Sequence, residues 1–126
     1  MESSGGVCLS PVEFVDIYPT IADLCGLEAP DNLEGVSLRP LLTNPEQPRD
    51  RPAFSQVHFR EVAGRCVRTK QWRYVEWGEK GNQGIELYDV IPDSREMTNL
   101  AGTEAMRSVE KTLREMLREK FLVSPQ

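Results

Sequence analysis

The sequence predicts an α+β fold: a small antiparallel sheet of about four strands with a C-terminal amphipathic helix packed on one face. Three observations carry this. Between Ala53 and Asp89 lie three or four short strand-like runs separated by turn residues. From Glu104 to Phe121 apolar residues return at helical spacing. A separate helical pattern stands ahead of the strands, around Ile17, Ile21 and Leu24.

Taken in order, residues 1–10 read as a disordered tail. Its first part, Met1 to Gly6, is small and polar, without the basic and apolar regions of a signal peptide. A helix is expected over 16–25, with Asp16 as cap, Ile17, Ile21 and Leu24 on one face, Pro19 tolerated in the first turn and Gly26 as the stop. Residues 27–36 read as a loop, and Ser37 caps a short helical turn through Leu38, Leu41 and Leu42. The polar, proline-rich stretch 43–52 is the expected boundary between a helical front and a sheet-forming back.

The strands follow at Ala53 to Phe59, Arg65 to Thr69, Trp72 to Trp77 and Ile85 to Asp89. A tight turn lies at Lys70-Gln71 and a Gly/charged turn from Gly78 to Gly84. Trp72, Tyr74 and Glu76 point one way and Arg73, Val75 and Trp77 the other. After a turn-rich link, Thr103 precedes the long helix. Met106, Val109, Leu113, Met116, Leu117 and Lys120 form its inner side. Arg107, Glu110, Lys111, Arg114, Glu115, Arg118 and Glu119 are expected on a solvated face.

Composition narrows the function. A length of 126 residues suits one domain. Twenty acidic against fifteen basic residues give a net charge of -5, which argues against nucleic acid as a partner. No apolar run approaches the roughly 20 residues that span a bilayer. The three cysteines, Cys8, Cys25 and Cys66, lack metal-ligand spacing and are joined by one histidine, His58. A structural zinc site is therefore not expected. Cys25 and Cys66 fall within apolar patterns and are expected to be buried thiols.

Cleaving a sulfate or phosphate ester needs a nucleophile, cations for the anionic oxygens and a proton donor. The chain offers no G-x-S-x-G elbow, no Gly-rich phosphate loop and no evident convergent acids. No catalytic or metal-binding residue is assigned. The remaining candidate is a polar strand face carrying Gln56, His58 and Arg60, opposite Val57 and Phe59. It is solvent-facing, covered by a missing domain, or one wall of an anion-binding cleft.

Four ordered segments carry a family signal. Val12 to Leu27 (VEFVDIYPTIADLCGL) resembles the V-D-I/L-Y/F-P-T segment of type I sulfatases, and Leu33 to Leu42 (LEGVSLRPLL) resembles their L-D/E-G-x-S-L-x-P-L-L. Val67 to Trp77 (VRTKQWRYVEW) is similar to R-T-x-x-W/Y-K/R-Y, and Glu86 to Ala101 (ELYDVIPDSREMTNLA) to E-L-Y-D-L-x-x-D-P-x-E-x-x-N-L, with Ser94 where the family has proline. The flavour of Phe54-Ser-Gln56 and Tyr74 to Trp77 is nearest the iduronate-2-sulfatase-like branch.

The resemblance implies an alkaline phosphatase-like parent whose nucleophile is a formylglycine matured from C/S-x-P-x-R, beside a calcium held by Asp and Asn. Both lie upstream of the matched segments. It implies a C-terminal fragment, inactive alone, with no cofactor in this chain although calcium serves the full-length family. Residues 11–50 would be a helical remnant of the edge of the catalytic α/β domain and 51–126 the C-terminal subdomain. The helix at 16–25 would then have lost the sheet it packs on, exposing Ile17, Ile21 and Leu24. The implied partner is a missing N-terminal sulfatase domain. Because such subdomains wall the substrate pocket, Gln56, His58, Arg60 and Arg68 become candidate contacts for a sulfated sugar. Two decoys are rejected. In Cys8-Leu-Ser-Pro-Val12 the proline is one place late and no arginine follows, and Asp31-Asn32 sits in a loop.

Overall fold

A computed structural model describes residues 5–122. Residues 1–4 of the expected tail, and residues 123–126, lie outside it; from Gly5 to Glu13 the chain forms neither helix nor strand. The chain divides into two compact units between Arg51 and Pro52.

The first unit holds two helices, α1 (Ile17–Leu24) and α2 (Arg39–Thr43), with a 3₁₀ turn, Phe14–Asp16, leading into α1. Asp16 is the N-cap position of α1, as expected, though its side chain makes no capping hydrogen bond to that helix. Glu13 is the N-cap of the 3₁₀ turn, and the Asp16 carboxylate accepts the Glu13 N–H to close a capping box. The first two of the four family-like segments are stitched together here. Val36 N–H donates to Asp16 Oδ1 at 2.9 Å, Leu38 N–H to Thr20 Oγ1 at 2.8 Å, and Ser37 Oγ to Asp23 Oδ2 at 2.6 Å. Gly35 has to be glycine because a Cβ would lie 2.0 Å from the Val15 carbonyl oxygen. Arg49 and Arg51 reach back to Asp16 and Glu13, which holds the proline-rich stretch onto this unit.

The buried side of α1 is Pro19, Thr20 and Ala22, with Leu41 buried on α2. Ile17, Ile21 and Leu24 are 42, 57 and 49 % exposed. Cys25 is exposed too, against the expectation of a buried thiol. It follows Ile21 by four residues, so it continues the same uncovered column.

The second unit is a four-stranded antiparallel meander, β1 (Ala53–Phe59), β2 (Val62–Arg68), β3 (Trp72–Trp77) and β4 (Gly84–Asp89), in sequential order, followed by α3 (Arg107–Leu122). Arg60 takes φ 57°, the left-handed conformation that a two-residue hairpin turn demands. At the next turn Thr69 N–H donates to the Trp72 carbonyl at 2.8 Å and Trp72 N–H to Thr69 Oγ1 at 2.9 Å.

The register sorts the side chains. Val67 faces Tyr74 and Tyr74 faces Leu87, forming one stripe across three strands. Leu113 and Leu117 of α3 close over it, and these five make the buried core. Each such side chain contributes roughly 1.5–3 kcal/mol of burial. Val57 and Phe59 lie on the opposite face of β1 and stay exposed.

The free edge of β4 is closed by the link. Leu87 N–H donates to Asn99 Oδ1 at 3.0 Å, Asn99 Nδ2 to the Ile85 carbonyl at 3.0 Å, and Leu100 N–H to the Leu87 carbonyl at 2.8 Å. This is one way of blunting an edge that would otherwise pair with another chain. Asn99→Ala is expected to cost about 1 kcal/mol, read as a lower urea midpoint with unchanged slope; an unchanged midpoint would contradict the assigned role.

Candidate functional site

Gln56 and His58 are exposed on the same face of β1. His58 stands across from Ala63 and Gln56 across from Arg65, whose Nε donates to Gln56 Oε1 at 3.0 Å. Arg60 turns away: its guanidinium lies over the Phe59 ring, 5.5 Å from the centroid. Arg68 pairs with Ala53, an odd position of β1, so it occupies the sheet face opposite Gln56 and His58. Its Nη1 is enclosed and has no hydrogen-bond partner among the described residues. The structure therefore brings Gln56 and His58 together and separates them from Arg60 and Arg68.

A denser polar cluster lies between sheet and helix, and sequence reading missed it. Glu76, only 5 % exposed, accepts Tyr74 Oη–H at 2.9 Å and Arg118 Nη2–H at 3.2 Å, with Arg114 Nε at 3.6 Å. Arg114 Nε also donates to Tyr74 Oη at 3.2 Å, and Arg114 pairs with the buried Glu110. Burial pushes the Tyr74 phenol up to about 12, and its hydrogen bond to the Glu76 carboxylate acts in the same direction. Glu110, Arg114 and Arg118 are thus not all on a solvated face as expected, because a carboxylate enclosed beside Tyr74 requires cations across from it. The signal was present: Glu76 shares a strand face with Tyr74, and Glu110, Arg114 and Arg118 recur every four residues.

On the other sheet face Arg73 pairs with Glu96, and Trp77 Nε1–H donates to Glu86 Oε1 at 2.7 Å. Burial pushes the Cys66 thiol up, so it is a poor nucleophile near neutral pH. Among the described residues no three His, Cys, Asp or Glu side chains converge as a metal site would need. Asp31 and Asn32 are both exposed. Among the described residues no donor set fits a calcium ion, which takes six to eight oxygens.

Comparison with known proteins places this scaffold in a family. A family model described as N-sulphoglucosamine sulphohydrolase, C-terminal, matches residues 4–122. Arylsulfatase K of Gallus gallus is 35 % identical over 84 % of this chain, and the match covers 22 % of that protein. Delta 4,5-hexuronate-2-O-sulfatase of Bacteroides thetaiotaomicron is 36 % identical over 69 % of the chain and 19 % of its own length. A solved structure in complex with its substrate D-glucosamine-2-N,6-O-disulfate superposes with a TM-score of 0.71 and 27 % identity, covering 83 % of this chain and 23 % of that one. The chain spans about a fifth to a quarter of the proteins it matches. It belongs to the N-sulphoglucosamine sulphohydrolase C-terminal family, the C-terminal portion of sulfatases of the alkaline phosphatase-like superfamily.

Proposed function

We propose that this chain is the non-catalytic C-terminal part of a sulfatase acting on a sulfated sugar, and that it hydrolyses no sulfate ester alone. The observation that carries this is the family match over 4–122, set beside a set of described side chains that assembles no metal site. The relatives' sugar substrates support the substrate class. In this reading residues 11–50 derive from the edge of the catalytic α/β domain, 51–126 form the C-terminal subdomain, and calcium and formylglycine belong to an N-terminal half. The exposed Ile17, Ile21 and Leu24 support a role for α1 in complementing such a half.

The test is co-expression with a sulfatase N-terminal half that carries C-x-P-x-R and ends before the segment equivalent to Val12. Sulfate release from an aryl sulfate is expected from the pair and from neither part alone. An N-terminal half that stays inactive beside this chain, or is fully active without it, removes the complementing role.

A second reading gives the chain its own sulfated-sugar contact through Gln56, His58, Arg60 and Arg68. The unpartnered Nη1 of Arg68 supports it. The division of the four residues between two sheet faces restricts it to two separate contacts.

A further inference from the structure

Where the C-terminal end of α3 meets the sheet, a narrow cleft is lined by Arg65, Glu76, Lys80, Leu117, Arg118 and Phe121. Three of these are cations and one is an acid. The acid is already committed to Tyr74 and Arg118. Arg65 has an amide partner in Gln56 and stacks on Phe121, 5.4 Å from the ring centroid, but makes no salt bridge among the described residues. Lys80 likewise makes none and is exposed, held at the cleft by a left-handed backbone (φ 53°) that lysine rarely adopts. Arg118 keeps an enclosed Nε without an acceptor among the described residues. Even with Arg114 and its partner Glu110 counted, four cations stand against two acids among the described residues, a local excess of two positive charges in a chain of net charge -5.

We propose that Arg65, Lys80 and Arg118 form a binding site for a tetrahedral or carboxylate oxyanion, with Phe121 as an apolar wall. The cleft is partly open and its volume is about 20 Å³, room for about one water, so the anion sits at the mouth and is not swallowed. Arg65 and Lys80 approach from the sheet and its β3–β4 turn while Arg118 approaches from the helix, so donors converge from two sides. A ring edge beside the cations suits a sulfated or uronic sugar, and inorganic sulfate carries the same oxyanion chemistry. The site contains none of Gln56, His58, Arg60 and Arg68, Gln56 touching it only as the hydrogen-bond partner of Arg65, and it does not depend on sulfate ester hydrolysis by any partner.

The full chain, labelled with 15N, is titrated at constant ionic strength with sodium sulfate, sodium chloride, a sulfated disaccharide and its unsulfated counterpart. Saturable shifts confined to residues around Arg65, Lys80 and Phe121 are expected with sulfate. Tighter saturation with the sulfated disaccharide than with sulfate identifies a sugar ligand; equal saturation identifies the free ion. Lys80→Gln lies on an exposed turn, so it should leave the fold intact and weaken binding about tenfold. Arg65→Gln should do the same, while Arg65→Lys retains part of the affinity. Shifts that chloride reproduces, or that survive in Lys80→Gln and Arg65→Gln, overturn the proposal.

Discussion

Glu76→Ala is expected to destabilise the second unit by about 3 kcal/mol, the lower end for breaking a buried ion pair. The lower end applies because its partners Arg114 and Arg118 keep side chains 31 and 36 % exposed, and water screens what remains. The loss has three parts: two guanidinium groups without their acceptor, the Tyr74 hydroxyl without its own, and a void beside Leu117. Glu76→Gln keeps an acceptor for Tyr74 and the packing volume, so it should cost less than alanine. Both tryptophans, Trp72 and Trp77, lie in this unit, and urea unfolding followed by their fluorescence reads it selectively. Equal stability of the wild type and Glu76→Ala would show that the cluster contributes nothing net.

Asp16→Ala should have a similar cost, about 3 kcal/mol, in a unit with far less to lose. Asp16 is fully buried and accepts from Val36 N–H, Glu13 N–H and Arg49 Nη2–H at 2.7 Å, with Arg51 at 3.8 Å. The apolar core of its unit is Ala22 and Leu41, and a unit of this size is marginal at best. The expected result is loss of the ordered amide signals of Val36 and Leu38 with tryptophan fluorescence unchanged. Burial alone would raise the Asp16 pKa, but the Val36 and Glu13 amides and the Arg49 guanidinium outweigh it and hold the carboxyl below its ordinary 3.8. A depressed folded-state pKa means the contribution is fully present above the unfolded value. It fades as pH falls below about 4. The same two signals should therefore weaken in acid first, and a pH-insensitive first unit would contradict the assignment.

The sheet was largely legible because its signals are local. The alternation of Trp72, Tyr74 and Glu76 against Arg73, Val75 and Trp77 follows from the period of a strand, and β1 runs from Ala53 to Phe59 as expected. β2 begins three residues earlier than Arg65 because Val62, Ala63 and Gly64 are held by pairing with Phe59, His58 and Val57. Gly64 reads as a weak strand residue, yet the space a Cβ would fill is taken by the Trp77 ring.

What stayed hidden was long-range. The role of Asp16 depends on Val36 and Arg49, which no local helix pattern connects to it. The polar side of α3 read as solvated because helical spacing separates charged from apolar residues without showing that Glu76 waits across the interface. The wall residues failed to gather for a similar reason. Arg68 lies an even number of residues from His58, but the β1–β2 turn intervenes. The hairpin register, rather than sequence parity, puts it on the other face.

The most direct measurement of the central claim is turnover. Purified chain, with and without calcium, is incubated with a chromogenic aryl sulfate and with a sulfated disaccharide, and released sulfate is followed. No release above buffer is predicted in any arm. Release that tracks the chain through successive purification steps, and is lost on substituting one of its own residues, would show a complete catalytic site within these 126 residues and contradict the account.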